Sequence, residues 1–178
     1  MVERLRLDRM ETPVGTLAIV ADERGALRAV GFEEDHARME GELARRGGAL
    51  ERASDPSGLT SALRRYFDGA LDAIDALPVA PDGTDFQRAV WAALREIPCG
   101  TTWSYEALAR RVGNAAAVRA VGLANGANPI AIVIPCHRVI GKDGSLTGYG
   151  GGLARKRWLL EHERALATTL ELDFGAAR

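Results

Sequence analysis

The stretch Pro78-Val79-Ala80-Pro81-Asp82-Gly83 constrains this chain more than any other. Its two prolines cannot lie inside a helix or a central strand, and Asp-Gly turns the backbone, so no regular element runs through it. The 178 residues are therefore read as two units, each with a modest core. One spans residues 1–80 and the other 84–165, with a peripheral tail over 166–178. Charge divides at the same place. Residues 1–84 carry 11 Lys and Arg against 16 Asp and Glu, whereas residues 85–178 carry 12 against 8. The formal net charge of −1 hides that asymmetry, and local fields rather than totals attract phosphates.

Before the boundary the pattern begins as strands. Thr12-Pro13-Val14-Gly15 turns into an apolar run ending at Ala21, Asp22-Glu23-Arg24-Gly25 turns again, and Ala26 to Phe32 alternates like a half-buried strand. This predicts an antiparallel hairpin. A helix is expected over 35–46, a loop over 47–58 and a second helix over 59–67, with Leu59, Leu63 and Tyr66-Phe67 apolar. Beyond the boundary the chain becomes helical. Thr84 or Asp85 caps a helix whose stripe is Phe86, Ala89-Val90, Ala93-Leu94 and Ile97, and Pro98-Cys99-Gly100 ends it. Ser104 caps a short helix through Val112, Gly113-Asn114 turns the chain, and another helix follows from about Ala115 to Asn125. Two short helices around a glycine turn make a helix-turn-helix pattern. The expected fold class is α/β of the α+β kind: an N-terminal antiparallel sheet with helices, then a C-terminal winged-helix-like domain.

The second of those helices is nearly all small residues, with Arg119 alone in its middle. A major-groove reader presents several Arg, Asn or Gln side chains to base edges. A smooth helix with one long cation suits close approach to a backbone or narrow groove, with the Arg as wedge or phosphate contact. A tightly packed core helix whose Arg119 reaches solvent fits the same composition.

Cys99 and Cys136 are the only cysteines, too few for a disulfide framework. No apolar run approaches the ~20 residues that span a bilayer, and no apolar stretch follows the charged N-terminus as in a secretory signal. A reduced, cytoplasmic protein without membrane contact is expected.

The run Ile130-Ala131-Ile132-Val133-Ile134 leads into Pro135-Cys136-His137-Arg138. A cysteine aimed by a preceding proline at the end of a rigid apolar segment is well placed to attack. Thiolate is the attacking form, and neighbouring cationic or hydrogen-bonding groups favour it. Adjacent residues of an extended chain point opposite ways, so His137 would reach Cys136 only through a water or a bend. A buried cysteine serving as an inert small hydrophobe is the competing reading. Cys99 is read as structural, and His36 and His162 as surface histidines.

Arg119-Ala120-Val121-Gly122, Asn128-Pro129, Ile134-Pro135-Cys136-His137-Arg138-Val139-Ile140, Gly148-Tyr149-Gly150-Gly151-Gly152-Leu153, Lys156, Leu159-Leu160 and Glu163 together resemble the O6-alkylguanine-DNA alkyltransferases, the methylated-DNA–protein-cysteine methyltransferases. The similarity is dense from about Asp85 to Glu163 and looser before it, where Thr12-Pro13-Val14-Gly15 and Arg65-Tyr66-Phe67 also match, and the small bacterial single-function type is nearest. It implies DNA repair by one stoichiometric transfer from O6-alkylguanine, with O4-alkylthymine a second candidate substrate, onto Cys136, which is thereby used up. His137 would take the thiol proton through a water, and Glu163 would orient His137. Tyr105 would donate a hydrogen bond to the departing guanine. Arg119 would fill the stack behind a flipped-out nucleotide. The helix bearing Ala120 and Gly122, with Asn114 before it and Tyr105 beside it, would enter the minor groove of double-stranded DNA. Asn128 would tie the helix-turn-helix to the active-site strand, while Pro135, Arg138, Tyr149 and Gly150 would shape the pocket. Direct displacement calls for no cofactor and no metal, and a monomer is implied. The cysteine and histidine ligands of the zinc-bearing relatives have no counterpart here.

Three other readings share parts of the pattern. A lesion sensor of the same fold would lack the nucleophile, so Cys136 speaks against it. A cysteine hydrolase would turn over repeatedly, and a plain helix-turn-helix regulator would prefer one DNA sequence and do no chemistry.

Overall fold

In the computed structural model, which describes residues 3–166, strands β1 (Glu3–Met10), β2 (Leu17–Asp22), β3 (Leu27–Phe32) and β4 (Gly48–Arg52) form one sheet in the order β3-β2-β1-β4. The tail expected over 166–178 lies outside the described residues from 167 onward. The predicted hairpin is β2–β3, antiparallel, with a bulge at Val20/Ala21. Two strands escaped the sequence reading. β1 pairs antiparallel with β2, and β4, in the stretch read as a loop, joins β1 in parallel. The sheet is therefore mixed rather than wholly antiparallel.

β2 is buried along its whole length because both faces of the sheet are covered. Side chains alternate across a strand, so Leu17, Ile19 and Ala21 face the main core. Ala18 and Val20 face a smaller cluster with Leu5, Leu7, Ala29 and Leu43. Leu43 comes from α1 (His36–Arg45), which closes that outer face. α2 (Leu59–Phe67) forms where expected and buries Leu59, Ala62, Leu63 and Tyr66.

The boundary segment is no free linker. Leu27 N–H donates to Pro78 C=O at 2.9 Å, and Ala80 N–H donates to Leu27 C=O at 2.8 Å. Further along the same outer edge of β3, Val30 N–H donates to Pro129 C=O at 3.0 Å and its C=O accepts from Ala131 N–H at 2.9 Å. β3 thus carries two single bridges from the chain that follows it.

α3 (Asp85–Leu94) opens on a complete capping box: Thr84 Oγ1 accepts from Gln87 N–H, and Gln87 Oε1 accepts from Thr84 N–H. Its buried stripe is Val90, Trp91, Ala93 and Leu94. Phe86, expected in that stripe, is instead 38% exposed, because it sits in the first turn, before the helix meets its neighbours. Trp91 takes its place and donates Nε1–H to Ala124 C=O at 2.8 Å. β5 (Trp103–Ser104) leads into α4 (Tyr105–Arg111), capped by Ser104 as expected. After the turn at Gly113 (φ +84°) comes α5 (Val118–Gly126), which starts later than the sequence suggested. A short 3-10 turn (Cys136–Arg138) passes into β6 (Val139–Ile140), which pairs with β5, and α6 (Leu153–His162) packs back against that turn. Among the described residues no helix is long and apolar enough to cross a membrane.

Candidate active site

The apolar run before Cys136 is not a strand. Only Ile130 bridges to the sheet; residues 131–134 then turn, with Ile132 at φ +73° and fully buried. A β-branched residue in that region is strained by about 1–3 kcal/mol, which the surrounding packing offsets. Asn128 stabilises the turn from within. Its Nδ2 donates to Ile134 C=O at 2.8 Å and its Oδ1 accepts from Ile130 N–H at 3.0 Å. The end of α5 is thereby tied to the approach to Cys136, although through a turn rather than the strand expected.

Cys136 is 7% exposed and lines a cavity of about 660 Å³ together with Phe32, Trp91, Asn125, Asn128 and Tyr149. Burial pushes its thiol up, and the Asn128 side chain and the Lys156 charge oppose that shift without overcoming it. The resting group is a thiol in need of a base.

His137 is fully buried in the same 3-10 turn. Its Nε2–H donates to Glu163 Oε1 at 3.0 Å, while Nδ1 has no partner among the described residues. With Nε2 holding the proton, Nδ1 is the basic nitrogen. Burial pushes His137 down, against the pull of Glu163, so the imidazole is neutral at rest.

Glu163, just beyond α6, is the most heavily bonded carboxylate of the site. Arg138 grips both of its oxygens and also donates Nη1–H to Ile97 C=O at 2.7 Å. Burial alone would raise the Glu163 carboxyl, but hydrogen bonds from His137 and Arg138 outweigh it and hold the group well below the usual carboxylate range. A fourth donor comes from the other half of the chain: Tyr66 O–H reaches Glu163 Oε1 at 2.7 Å. In the sequence Tyr66 falls on the apolar face of its helix and in the looser part of the resemblance, with no role at the site.

Lys156 also went without a role. It is fully buried in α6 and donates to Val139, Thr147 and Gly148 C=O at 2.6, 2.9 and 3.2 Å. Burial pushes it down to about 8, and the Cys136 thiolate would draw it back up. Flanked in sequence by Arg155 and Arg157, it reads as part of a solvated basic run, so nothing local marked it as buried.

Tyr105, at the start of α4, donates its O–H to Thr147 C=O at 3.2 Å. Burial, and then the neighbouring Cys136, pushes its phenol up against that bond, so it remains a donor at neutral pH. Gly122 lies over its ring: a β-carbon there would stand 3.9 Å from Cδ1. Tyr149 faces Phe32 edge-on at 6.3 Å and keeps its buried hydroxyl without a described partner. Gly150 is exposed beside it, and Pro135 is buried directly before the cysteine.

Arg119 and Ala120 project from the exposed face of α5, and Asn114 is exposed in the turn before it. Arg119 forms no ion pair with the described residues. From Ala107 to Lys142 the chain has no Asp or Glu at all, although Arg111 and Lys142 within it pair with Glu96 and Glu106 from outside. Cys99 is half-buried, its thiol pushed up by burial and by the nearby Glu163. His36 and His162 are not free surface groups. His36 sits between Arg9 and Glu40, while His162 stacks on Trp158 at 4.8 Å and donates to Tyr66 C=O at 2.8 Å.

Comparison with known proteins gives a consistent result. The family model described as 6-O-methylguanine DNA methyltransferase, DNA binding domain, matches residues 85–165, and the one described as its ribonuclease-like domain matches residues 5–81. The chain is 51% identical over 164 residues to the methylated-DNA–protein-cysteine methyltransferase of Shigella flexneri, covering 90% of this chain and 96% of the relative. The crystal structure of Mycobacterium tuberculosis O6-methylguanine methyltransferase superposes with a TM-score of 0.76 at 38% identity, covering 95% and 99% of the two chains. Mycobacterium tuberculosis OGT in complex with DNA matches with a TM-score of 0.69 at 39% identity, covering 91% and 93%.

Proposed function

Because this chain belongs to the methylated-DNA–protein-cysteine methyltransferases and repairs DNA by moving an alkyl group onto a cysteine, we propose that Cys136 is the acceptor and O6-alkylguanine in duplex DNA the donor. The observation that carries this is Cys136 lining the cavity while the buried His137–Glu163 pair stands behind it. Cys99 has no such pair of its own.

The thiol proton passes through a bridging water to His137 Nδ1, and Glu163 stabilises the imidazolium that results. Sγ then attacks the alkyl carbon. The S–C bond forms as the C–O bond breaks, and its electron pair leaves on the guanine, where Tyr105 O–H stabilises the developing charge. Lys156 lies close enough to favour the thiolate. The thioether is stable, so each molecule acts once.

DNA is the partner, and the minor groove is the side we assign to α5. Its exposed surface offers Ala120, Leu123 and Gly126 around one cation, Arg119, which suits close approach and insertion behind an extruded nucleotide rather than base reading. Asn114 and Gly122 border that surface. Residues 1–80 act as the supporting domain and 84–165 as the DNA-binding and transferring one, within a monomer. Two free thiols fit a reducing cytoplasm.

Intact-mass measurement after incubation with an oligonucleotide duplex containing O6-methylguanine tests the reading. One methyl per molecule on Cys136 is expected, with repair reaching a plateau at one equivalent. Repair continuing past that point would overturn it. Cys136→Ser abolishes transfer while retaining DNA binding, and Cys99→Ser transfers normally.

A further inference from the structure

Tyr66 holds the end of α6 with both of its polar groups. Its hydroxyl donates to Glu163 Oε1 at 2.7 Å, and its backbone C=O accepts from His162 Nε2–H at 2.8 Å. The ring between them is fully buried, edge-on to His162 at 5.1 Å and to Phe67 at 5.2 Å. Two successive residues, one of them the carboxylate behind His137, are thus located by a single residue 96 and 97 positions away in sequence, His162 through its backbone and Glu163 through its side chain.

The two Glu163 oxygens are loaded unequally. Among the described residues, Oε2 accepts only from Arg138 Nε–H, at 2.8 Å. Oε1 accepts from Tyr66 O–H, from Arg138 Nη2–H at 2.9 Å and from His137 Nε2–H at 3.0 Å. Tyr66 and His137 therefore share one oxygen. A donor on a carboxylate spreads its charge and weakens its pull on every other proton it holds. We propose that Tyr66, supplied by the N-terminal half, is a positioning residue that sets how strongly Glu163 draws on His137, and so keeps the imidazole neutral and able to take the Cys136 proton. This rests on the relay proposed above.

The surroundings support it. Burial and then the Glu163 charge push the Tyr66 phenol far up, so it donates at every working pH. The other charged or titratable groups facing the pair are Arg138 beside His137, Lys156 and Tyr149 on the α6 side, Cys136, and Cys99 after α3. Arg138 is a fixed cation and spends its charge on Glu163. Tyr66 is the remaining donor that can be removed without changing net charge.

Tyr66→Phe keeps the ring and deletes only the hydroxyl. Single-turnover transfer from an O6-methylguanine duplex is measured against pH for the wild type, Tyr66→Phe, Phe67→Leu and Glu163→Gln, with a thermal melt of each. With Oε1 freed, Glu163 stabilises the imidazolium better. The acid limb of Tyr66→Phe therefore moves up by about half to one pH unit, and its rate rejoins the wild type at alkaline pH. Phe67→Leu perturbs the same ring stack but leaves the acid limb in place. An unmoved limb in Tyr66→Phe, or a uniform slowing matched by Phe67→Leu at equal loss of stability, overturns the proposal. Glu163→Gln separates the two levels: if it transfers like the wild type the relay itself fails, and if it alone is impaired only the role of Tyr66 fails.

Discussion

Arg138 and Glu163 meet as a two-pronged ion pair sealed from solvent, Nε donating to Oε2 at 2.8 Å and Nη2 to Oε1 at 2.9 Å. Neither group could be buried alone, since an unpaired buried charge costs far more than its pairing returns. The pair joins the residue after His137 to the end of α6, so the relay and the helix that frames the pocket share one fastening. Arg138→Met should destabilise the protein by about 3–5 kcal/mol, read as a lower denaturant midpoint, because Glu163 is left ionised and under-partnered. A loss below about 1 kcal/mol would place the pair among ordinary surface bridges.

Acid should act through the same carboxylate. In the unfolded chain Glu163 titrates near the ordinary glutamate value of about 4.3, whereas in the fold it titrates well below. Between those two values the unfolded state holds the extra proton, so stability rises with pH there. The contribution is complete above the unfolded value and is lost as pH falls toward the folded one. Denaturant midpoints followed from about pH 6 to pH 2.5 should fall more steeply for wild type than for Glu163→Gln. Parallel slopes would contradict the depression of this group.

Arg119 is exposed on α5, away from the Glu163 network. Arg119→Ala should therefore slow repair of duplex DNA strongly, while reaction with the free modified base stays near wild type. Equal losses on both substrates would remove the extrusion role. Binding should also weaken steeply with added salt and show little preference for sequence, as contacts to phosphate require.

Alkylation should loosen the fold. The Cys136 thiol lies against the Asn128 side chain, which ties the end of α5 to the turn before the cysteine. An S-alkyl group has lost the S–H and carries added volume against Asn128, which weakens that contact by on the order of 1 kcal/mol. The methylated protein should melt a few degrees lower than the unmodified one and be cleaved faster by protease. The cavity beside Cys136 has space, so the cause is the weakened contact more than crowding of the cavity. An unchanged melting temperature would show that Asn128 holds without the thiol.

What the sequence revealed follows from how local each signal is. The start of α3 was legible to within a residue, at Thr84 or Asp85, because a cap is a local signal, and the capping box with Gln87 decides for Thr84; α2 shows its apolar stripe in full. β1 stayed hidden because Leu5 and Leu7 alternate with charges that read as solvated chain. β4 presents mostly exposed residues at the far edge of the sheet, and nothing local distinguishes such a strand from a loop. The run Ile130–Ile134 misled for the opposite reason: its apolarity records burial between sheet and helices, while its backbone turns at Ile132. Cys136, with His137 beside it, stood out from its own neighbourhood, with an inert buried cysteine as the competing reading, whereas Glu163 was visible only as a member of a longer resemblance. Tyr66 belongs to the looser part of that resemblance and carried no role of its own, since its ring satisfies the helix stripe and its hydroxyl meets its partner across the molecule.

The two bridges on the outer edge of β3 give the molecule a timetable. Pro78 and Ala80 arrive first, but Pro129 and Ala131 lie about a hundred positions beyond β3, an interval on the order of ten seconds of synthesis. Once Ala80 is made, the nascent chain has all four strands of the sheet in hand and the β3 edge only half closed, the kind of row to which another extended segment adds itself. Closure comes with the same residues that carry the chain into the Cys136 turn, so the proposed acceptor is set in place by the act that seals the sheet. A chain interrupted before Pro129 thus both lacks Cys136 and stays open to strand addition.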